Sequence, residues 1–255
     1  MASGGIVLSG IGRTFVGRQR SVVALENFSL ECEGGSFTAL VGPSGCGKST
    51  ALRIALGLEW ADTGEVRLGG LSPERARKDG LTGVAFQDAA LMPWRSVARN
   101  IALPLDVLGR RVGVHRERID ALIELVGLGG YADALPGELS GGMRQRVAIA
   151  RALVTEPGVL FLDEPFGALD QILRRRMNVE LQSIWSASAA TTLLVTHGID
   201  EAVFLADRVA IMRADPGRIV ELVPVPFARP RAVSLFADPA FHRLTDAIAD
   251  ILHGD

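Results

Sequence analysis

The sequence predicts an α/β fold built on a parallel sheet. Three apolar runs, at residues 37–41, 159–162 and 192–196, have the composition of strands that are buried on both faces. A helical segment follows each run, and strands that alternate with helices in this way are typical of parallel sheets covered by helices. With 255 residues, of which 48% are hydrophobic, the chain is long enough for one large α/β domain.

Short strands are predicted on both sides of the first buried strand. Residues 6–8 and 29–32 precede it. Residues 65–68 and 83–86 follow it, with glycine turns nearby. Phe15 lies near the end of the first of these strands. On the residues alone, Phe15 is predicted to be buried in the core, since that is the commoner position of a lone aromatic side chain. The alternative is that its ring stacks on the ring of a ligand.

A glycine-rich loop joins the first buried strand to a helix. Its residues are Gly42, Pro43, Ser44, Gly45, Cys46, Gly47, Lys48, Ser49 and Thr50. In this G-x-x-x-x-G-K-[ST] pattern, main-chain N–H groups and the positive end of the helix point toward a triphosphate. Lys48 is placed to reach the β and γ phosphates, and the Ser49 hydroxyl to bind Mg²⁺. The loop therefore predicts binding of a nucleoside triphosphate.

Cys46 lies within this loop, near Lys48 and the start of the helix. Positive charge and a helix N-terminus lower the pKa of a thiol. The position therefore predicts a reactive thiol that bound nucleotide protects from alkylation. The alternative is a small side chain that merely fits the loop.

Composition narrows the class of protein. The net charge of −2 and the pI of about 6.1 give no electrostatic argument for nucleic acid. Two cysteines, Cys32 and Cys46, are too few for a disulfide framework and suit a reducing cytoplasm. Residues 1–5 lack the basic region and apolar core of a signal peptide. The uncharged run 182–199 contains Gln, Ser, Thr and His, so it predicts a helix end plus a strand rather than a membrane span. We therefore expect a soluble, cytoplasmic protein.

Residues 96–137 interrupt the alternation of strands and helices. Ser96 is predicted to cap a helix that runs to Leu103, with Pro104 beyond its end. Apolar residues then recur at helical spacing at Ile119, Leu122, Ile123 and Val126. This pattern predicts an inserted helical subdomain.

Gln87 closes the strand at residues 83–86, just before that block. Ligands of parallel α/β sheets bind outside the carboxyl ends of the strands, so Gln87 is predicted to face the phosphates. A surface glutamine in a loop is the alternative.

A second helix starts with serine and two glycines. Ser140 is the predicted N-cap, and Gly141 and Gly142 follow it. By the argument used for the first loop, this helix start is a second anion site. The alternative is an ordinary capped helix, on which three arginines form a solvated face: Arg144, Arg146 and Arg151.

Acidic residues and a histidine end the other two buried strands. Asp163 and Glu164 come directly after residues 159–162. At the end of such a strand, one acid can hold Mg²⁺ and the other can act as general base toward an attacking water. His197 follows residues 192–196. A lone histidine is more often structural, but the end of a strand beside a phosphate site places it to touch the γ-phosphate or water.

A helix at 200–206 and strands at 208–212 and 218–222 are predicted to finish the sheet, and two further helices are predicted in the rest of the chain. Asp170 precedes one predicted from Gln171 to about Trp185, on which the arginines at 174–176 form a solvated face. After several prolines, Asp238 and Pro239 begin the other. Its apolar stripe is predicted to pack back on the domain.

In this order, the motifs resemble those of the nucleotide-binding subunit of ATP-binding cassette (ABC) transporters. The most specific is Leu-Ser-Gly-Gly-Met-Arg-Gln at residues 139–145, a signature that ordinary P-loop kinases and GTPases lack. The resemblance implies a P-loop NTPase (RecA-like) core with an antiparallel β subdomain and an inserted α-helical subdomain. The implied ATPase domain is 5–222, with the helical subdomain at about 96–137, and 223–255 is a short tail with one helix.

The resemblance also implies a role for each motif, with ATP and Mg²⁺ as cofactors. The implied catalytic residues are Glu164, His197, Lys48 and Gln87. The implied metal ligands are Ser49, Gln87 and Asp163. The implied nucleotide-binding residues are Phe15, residues 42–50, the signature residues Ser140, Gly141 and Gly142, and Asp170. Phe15 matches the position that stacks on adenine, which reverses the preference for a core side chain.

In that family two subunits form a head-to-tail dimer, in which the signature of one completes the ATP site of the other. Closure on ATP and opening after hydrolysis move the membrane-spanning partners. The implied partners are a second copy, transmembrane permease subunits and a periplasmic or lipid-anchored solute-binding protein, with no nucleic acid. The implied location is peripheral, at the cytoplasmic face of the inner membrane.

A finer resemblance is to importers of nitrate, aliphatic sulfonates and taurine. It rests on Leu-Met-Pro-Trp at residues 91–94, on residues 163–170 and on residues 197–202, although Gly198 stands where the family usually has Asp. These residues do not contact cargo, so a small anionic solute is implied by analogy.

Two other classes remain as alternatives. A soluble ATPase with the same signature could act on nucleic acid or the ribosome, but the chain lacks a long coiled coil and a basic excess. A GTPase or small-molecule kinase is opposed by the signature and by Phe15.

Overall fold

A computed structural model describes residues 4–17, 21–167, 169–188 and 190–254. Residues 1–3, where the sequence shows no signal-peptide pattern, lie outside the described residues, as does Ala168 of the acidic motif.

Nine strands are present in the described part of the chain. They are β1 (Ile6–Val16), β2 (Ser21–Cys32), β3 (Phe37–Val41), β4 (Thr63–Leu68), β5 (Thr82–Ala85), β6 (Val159–Asp163), β7 (Thr191–Thr196), β8 (Arg208–Arg213) and β9 (Arg218–Pro224). Six form one sheet in the order β5-β6-β7-β3-β8-β9, in which the first five are parallel and β9 is antiparallel to β8. The other three form an antiparallel sheet in the order β2-β1-β4.

Nine α-helices connect or follow these strands within the described ranges. They are α1 (Lys48–Ala55), α2 (Pro73–Lys78), α3 (Val97–Ile101), α4 (Leu103–Val107), α5 (Arg116–Leu125), α6 (Gly141–Leu153), α7 (Gln171–Ser188), α8 (Ile199–Leu205) and α9 (Pro239–His253). Short 3-10 helices lie at Val112–His115, Pro136–Glu138 and Val233–Ala237. The predicted α/β fold with an antiparallel β subdomain is confirmed.

The segment between β5 and α6 is helical, but its first helix differs from the prediction. Ser96 caps α3, because its hydroxyl accepts a hydrogen bond from the Arg99 N–H at 3.4 Å. Pro104 does not lie beyond a helix that runs to Leu103. It lies in the first turn of α4, where proline is tolerated because that N–H has no intrahelical acceptor.

The core lies on both faces of the six-stranded sheet. Every residue of β3 and β7 is buried. The run 182–199 contains the end of α7 and all of β7, as predicted, apart from Ala189, which lies outside the described residues. The tail also packs back on the domain, because Phe241 and Ile248 of α9 are fully buried in the main core. No helix in the described ranges combines the length and apolarity needed to span a bilayer.

The solvated face predicted at residues 174–176 is wrong for Arg174 and Arg175 but holds for Arg176, which is exposed, and the alternative of a solvated arginine face on α6 does not hold. The guanidinium of Arg174 donates to the carbonyls of Phe166 and Leu169, and that of Arg175 lies 4.9 Å from the Phe236 ring centroid. On α6, the three arginines each reach a main-chain carbonyl, on Leu139, Val126 and Ala89 respectively. A guanidinium carries five N–H donors, so these long side chains can satisfy loop carbonyls as acceptors.

Candidate active site

Four neighbouring parallel strands carry most of the predicted site residues to one edge of the large sheet. β3 ends at the glycine loop, β7 ends next to His197, β6 ends with Asp163, and β5 ends two residues before Gln87. The register aligns these ends in the pairs Val41 with Thr196, Asp163 with Val195, and Ala85 with Leu162. Since paired strands lie about 4.8 Å apart, the four ends form a continuous surface.

The glycine loop curls tightly against two strands. A Cβ on Gly42 would lie 2.6 Å from the Cys46 sulfur and 2.9 Å from the Met212 carbonyl oxygen of β8. Gly47 has φ of 99°, and a Cβ there would lie 2.7 Å from the Ala24 carbonyl oxygen of β2. Both positions therefore require glycine. No side chain caps the start of α1, which leaves its first N–H groups available to an anion.

Lys48 lies inside this loop and is only 7% exposed. Its ammonium donates to the carbonyls of Gly42 at 2.7 Å and Pro43 at 3.0 Å. These bonds satisfy a charge that would otherwise be costly to bury. Phosphate oxygens are stronger acceptors than carbonyls, so the ammonium can leave these carbonyls and donate to a bound phosphate instead.

The prediction of a reactive thiolate at Cys46 is wrong. Burial raises the pKa of the Cys46 thiol, and the nearby Lys48 ammonium opposes that change only in part. The side chain is 1% exposed, since the loop closes over it. The alternative, a small side chain that fits the loop, agrees with these observations.

Asp163 lies at the end of β6 in an electrostatic environment that favours a cation. Burial raises the pKa of its carboxyl, the adjacent Glu164 carboxylate raises it further, and the charges of Arg53 and Lys48 oppose both effects. A divalent cation at this point would offset the first two effects.

Glu164 and His197 contact each other. The His197 Nδ1 lies 3.3 Å from the Glu164 Oε2, with the histidine side chain 52% exposed and the glutamate 23% exposed. Glu164 has φ of 44°, and its N–H donates to the Val195 carbonyl at 2.8 Å. A left-handed backbone is unfavourable for glutamate and is a frequent feature of functional sites.

The Gln87 amide and the Glu164 carboxylate both lie beside Gly167. The Gln87 amide nitrogen would lie 3.5 Å from a Cβ on Gly167, and the Glu164 Oε2 would lie 3.3 Å from that same point. The side chain of Gln87 is exposed, as is that of Ser49 at the start of α1. The hydroxyl, amide and carboxylate oxygens of Ser49, Gln87 and Asp163 are the donors that Mg²⁺ prefers.

The signature residues stay apart from this cluster. The Ser140 hydroxyl caps α6 by accepting from the Met143 N–H at 3.3 Å, and an Asp170 carboxylate oxygen accepts from the Leu173 N–H at 3.0 Å. In the part of the chain that the structure describes, no hydrogen bond joins Ser140, Gly141, Gly142 or Asp170 to residues 42–50. Within one chain, the second predicted anion site is thus separate from the first.

Phe15 is 40% exposed, so the preference for a core side chain was wrong. It pairs with Val22 across β1 and β2, and Ala24, two residues farther along β2, packs against the glycine loop. The ring therefore lies near the loop with part of its surface open. Its stacking on adenine stays a prediction.

Two polar residues of α6 were missed as site residues. Gln145 donates to the Phe86 carbonyl at 3.1 Å, and Arg151 donates to the carbonyls of Ala89 at 2.5 Å and Ala90 at 3.0 Å. These bonds hold the segment around Gln87 against the helix that begins at the signature. The partners are about 60 residues apart in sequence, so no motif spacing could indicate them.

Glu201 was also missed, and its carboxyl is almost fully buried beside the His197 segment. It accepts a hydrogen bond from the Thr196 hydroxyl, which in turn accepts the Gly198 N–H at 3.0 Å. Burial raises the pKa of Glu201 from 4.5 to about 7; the Glu164 carboxylate also raises it, and the Thr196 hydrogen bond and the Arg174 charge oppose the rise.

Glu201 should therefore make stability depend on pH. Between pH 4.5 and 7 the folded state keeps a proton on Glu201 that the unfolded state releases. The contribution of this group to folding stability is therefore fully present below pH 4.5 and is lost as the pH rises through 7. We expect the Glu201→Gln variant to gain stability relative to the parent by up to about 3 kcal/mol on going from pH 5 to pH 8. Urea unfolding at both pH values measures this, and a difference that does not change with pH would contradict it. Asp200→Asn, at an exposed neighbour, is the matched control.

Comparison with known proteins agrees with this geometry. Residues 25–167 match the family model described as "ABC transporter". The chain is 46% identical over 220 residues to the aliphatic sulfonates import ATP-binding protein SsuB of Bacillus subtilis, covering 86% of this chain and 84% of the relative. It is 44% identical over 239 residues to the taurine import ATP-binding protein TauB of Pseudomonas aeruginosa, covering 92% of this chain and 89% of the relative.

Solved structures agree as well. A dimeric structure of MJ0796, a bacterial ABC transporter cassette, superposes with a TM-score of 0.74 at 29% identity, covering 88% of this chain and all of that one. A dimeric post-hydrolysis state of the same cassette, bound to ADP and Pi, gives a TM-score of 0.76 at 28% identity, with 88% of this chain covered and 100% of that one. The family model covers more than half of the residues, and the relatives align over most of their length. The chain therefore belongs to the ABC transporter family, as one of its ATP-binding cassettes.

Proposed function

We propose that this ATPase is the subunit of an importer that couples ATP hydrolysis to uptake of a small anionic solute. The observation that carries the proposal is the convergence of the glycine loop, Asp163, Glu164 and His197 on one edge of the sheet. Parallel sheets bind their ligands at that edge. The loop supplies main-chain donors and the Lys48 ammonium for the phosphates. β6 supplies the two acids, since it ends with Asp163 and Glu164 follows directly.

In the proposed reaction, water attacks the γ-phosphate in line with the leaving oxygen. Glu164 orients the water and accepts its proton at the carboxylate. His197 holds that carboxylate through Nδ1, at 3.3 Å in this structure, and its exposed ring is free to turn toward the γ-phosphate. Lys48 and the N–H groups at the start of α1 stabilise the charge that develops on the phosphate oxygens.

Ser49, Asp163 and Gln87 are the residues that would hold Mg²⁺, which would neutralise part of the negative charge of the phosphates. The raised pKa of Asp163 supports a cation at this position. The described residues contain no group of three or more His, Cys, Asp or Glu suited to a metal. That agrees with Mg²⁺, which takes one or two carboxylates together with substrate phosphates.

The proposed working unit is a head-to-tail dimer. Ser140 caps a helix whose start makes no hydrogen bond to residues 42–50 among the described residues, although it has the features of an anion site. A second copy would place that helix start on the phosphates held by residues 42–50. The dimeric structures of MJ0796 support this arrangement for a chain with the same fold.

We also propose that the dimer docks on transmembrane permease subunits at the cytoplasmic face of the inner membrane. A groove of about 780 Å³ lies between the segment after β5 and the start of α6, lined among others by Ala90, Leu91 and Gly141. Trp94, 74% exposed, lies three residues beyond Leu91. A large apolar side chain exposed to this extent is typical of a surface that receives a partner. A solute-binding protein would complete the importer.

The proposed solute is an aliphatic sulfonate, taurine or nitrate. Two relatives carry the names of sulfonate and taurine import proteins, and none of the comparisons supports action on nucleic acid. The test is uptake of labelled taurine, an alkanesulfonate and nitrate by cells that lack this chain, then by cells that again produce it. Uptake of one of these anions should depend on the chain, and the chain should co-purify with a membrane protein. Unchanged uptake of all three would refute the solute class, and purification without a membrane partner would refute the importer subunit.

A further inference from the structure

Arg13 covers one face of the Phe15 ring. Its guanidinium carbon lies 4.8 Å from the ring centroid, within the range of a cation–π contact. The Arg13 Nε is buried and finds no hydrogen-bond acceptor among the residues that the structure describes. An N–H without an acceptor fits contact with the π face of a ring, where no acceptor atom is present.

Two carboxylates fix the guanidinium in that place. Arg13 Nη2 contacts Glu59 Oε1 at 2.8 Å, and Nη1 contacts Asp62 Oδ1 at 2.7 Å. The other Asp62 oxygen accepts the Thr14 N–H at 2.6 Å. The Arg13 side chain is only 21% exposed, so a planar group held at both ends lies against the ring.

The acids belong to the segment that connects the glycine-loop helix to β4. That segment follows α1, which begins at Lys48. The ring itself lies on β1 opposite Val22, and β2 touches the glycine loop through Ala24. Arg13 therefore connects the ring to the segment that follows α1, the helix whose start is proposed to bind the phosphates.

We propose that Arg13 is a positioning residue for the nucleotide base: it holds one face of the Phe15 ring, so that the opposite face is fixed to receive adenine. The inference rests on the proposed nucleotide site and adds a residue to it. Arg13 acts through the ring and makes no contact with the phosphates. Its effect should thus appear with ligands that carry a base and be absent with ligands that do not.

The test is a double-mutant cycle between Arg13→Met and Phe15→Leu, with Kd measured by calorimetry for Mg·ATP and for Mg·tripolyphosphate, a probe without a base. Arg13→Met should weaken ATP binding about twofold to fivefold, the size of one cation–π contact. Phe15→Leu should weaken it about tenfold, because stacking on an aromatic ring is lost. Neither change should alter tripolyphosphate binding. In the Phe15→Leu background, Arg13→Met should have no further effect on ATP.

Every other result contradicts either the inference about Arg13 alone or the inference together with the proposed stacking of Phe15 on the base. If Phe15→Leu leaves ATP affinity unchanged, Phe15 does not stack on the base, and the inference fails together with that part of the proposed site. If Phe15→Leu behaves as expected but Arg13→Met acts equally in both backgrounds, or weakens tripolyphosphate binding, only the inference fails. Arg75→Met, at an exposed arginine that is also ion-paired, is the matched control. Should Arg13→Met not fold, Arg13→Gln supplies the same cycle, since glutamine keeps a hydrogen-bond donor for the two carboxylates but has no positive charge to contact the ring.

Discussion

Replacement of Glu164 by glutamine should lower ATP turnover by about 10²–10⁴-fold and leave ATP binding intact, because the amide keeps the shape of the side chain but cannot accept the proton of the attacking water. The carboxylate is supported by the 3.3 Å contact with His197 and by a main-chain bond to Val195. Since hydrolysis is what reopens the proposed dimer, the variant should also remain dimeric with Mg·ATP. Phosphate release and size-exclusion chromatography measure the two effects.

Two controls separate this role from general damage. Glu117→Gln, at an exposed position of α5, makes the same chemical change away from the site and should keep parental turnover. Lys48→Ala should show the opposite defect, a loss of ATP affinity of about tenfold or more, since it removes a charged donor from the phosphates. Parental turnover in the Glu164 variant would show that another group is the base. A loaded variant that remains monomeric, alone and with its permease, would refute the dimer.

Replacement of Arg231 by methionine should destabilise the protein by about 3 kcal/mol, which for a chain of this size lowers Tm by roughly 6–12 °C. Arg231 is 3% exposed, and its guanidinium donates to the carbonyls of Val203, Phe204 and Ala206 at the end of α8. A helix end leaves such carbonyls without intrahelical partners, and methionine would fill the space without satisfying them.

The same arginine also connects the tail to α7. The Gln182 side chain donates to the Arg231 carbonyl at 2.9 Å and accepts the Arg231 N–H at 2.8 Å. Burial lowers the pKa of Arg231 to about 10, so the side chain stays charged near neutral pH. Arg243→Met, at an exposed position of α9, is the matched control and should change Tm by about 1–2 °C at most. Equal Tm shifts in the two variants, measured by calorimetry, would show that the helix-end bonds are not the cause.

The site could be predicted where its residues follow one another along the chain. The glycine loop carries its strand, its turn and its helix start within one short segment, and Asp163 and Glu164 come directly after a buried strand. Parallel pairing then brings strand ends to one edge, which is why separate segments could be placed together before any contact was known.

The errors arose where burial or a distant partner decides the outcome. Cys46 was expected to be reactive because Lys48 is close in sequence, but enclosure by the loop raises its pKa. Arg174 and Arg175 of α7 were expected in solvent because charge runs usually are, but Arg174 donates to the carbonyls of the preceding loop and Arg175 lies against the Phe236 ring. Phe15 was first assigned to the core, because exposure cannot be read from one aromatic in a strand.

The sequence by itself determined which groups are available for the predicted chemistry: a glycine loop with a lysine, two acids, a histidine and a signature, each encoded in residues that are neighbours along the chain. Only the tertiary structure decided how those groups are held: Arg13 against Phe15, Glu201 beneath the His197 segment, and Arg231 at the end of α8. The physical reason is that local spacing fixes backbone direction and helix ends. Burial and long-range hydrogen bonds depend on which surfaces the folded chain brings together.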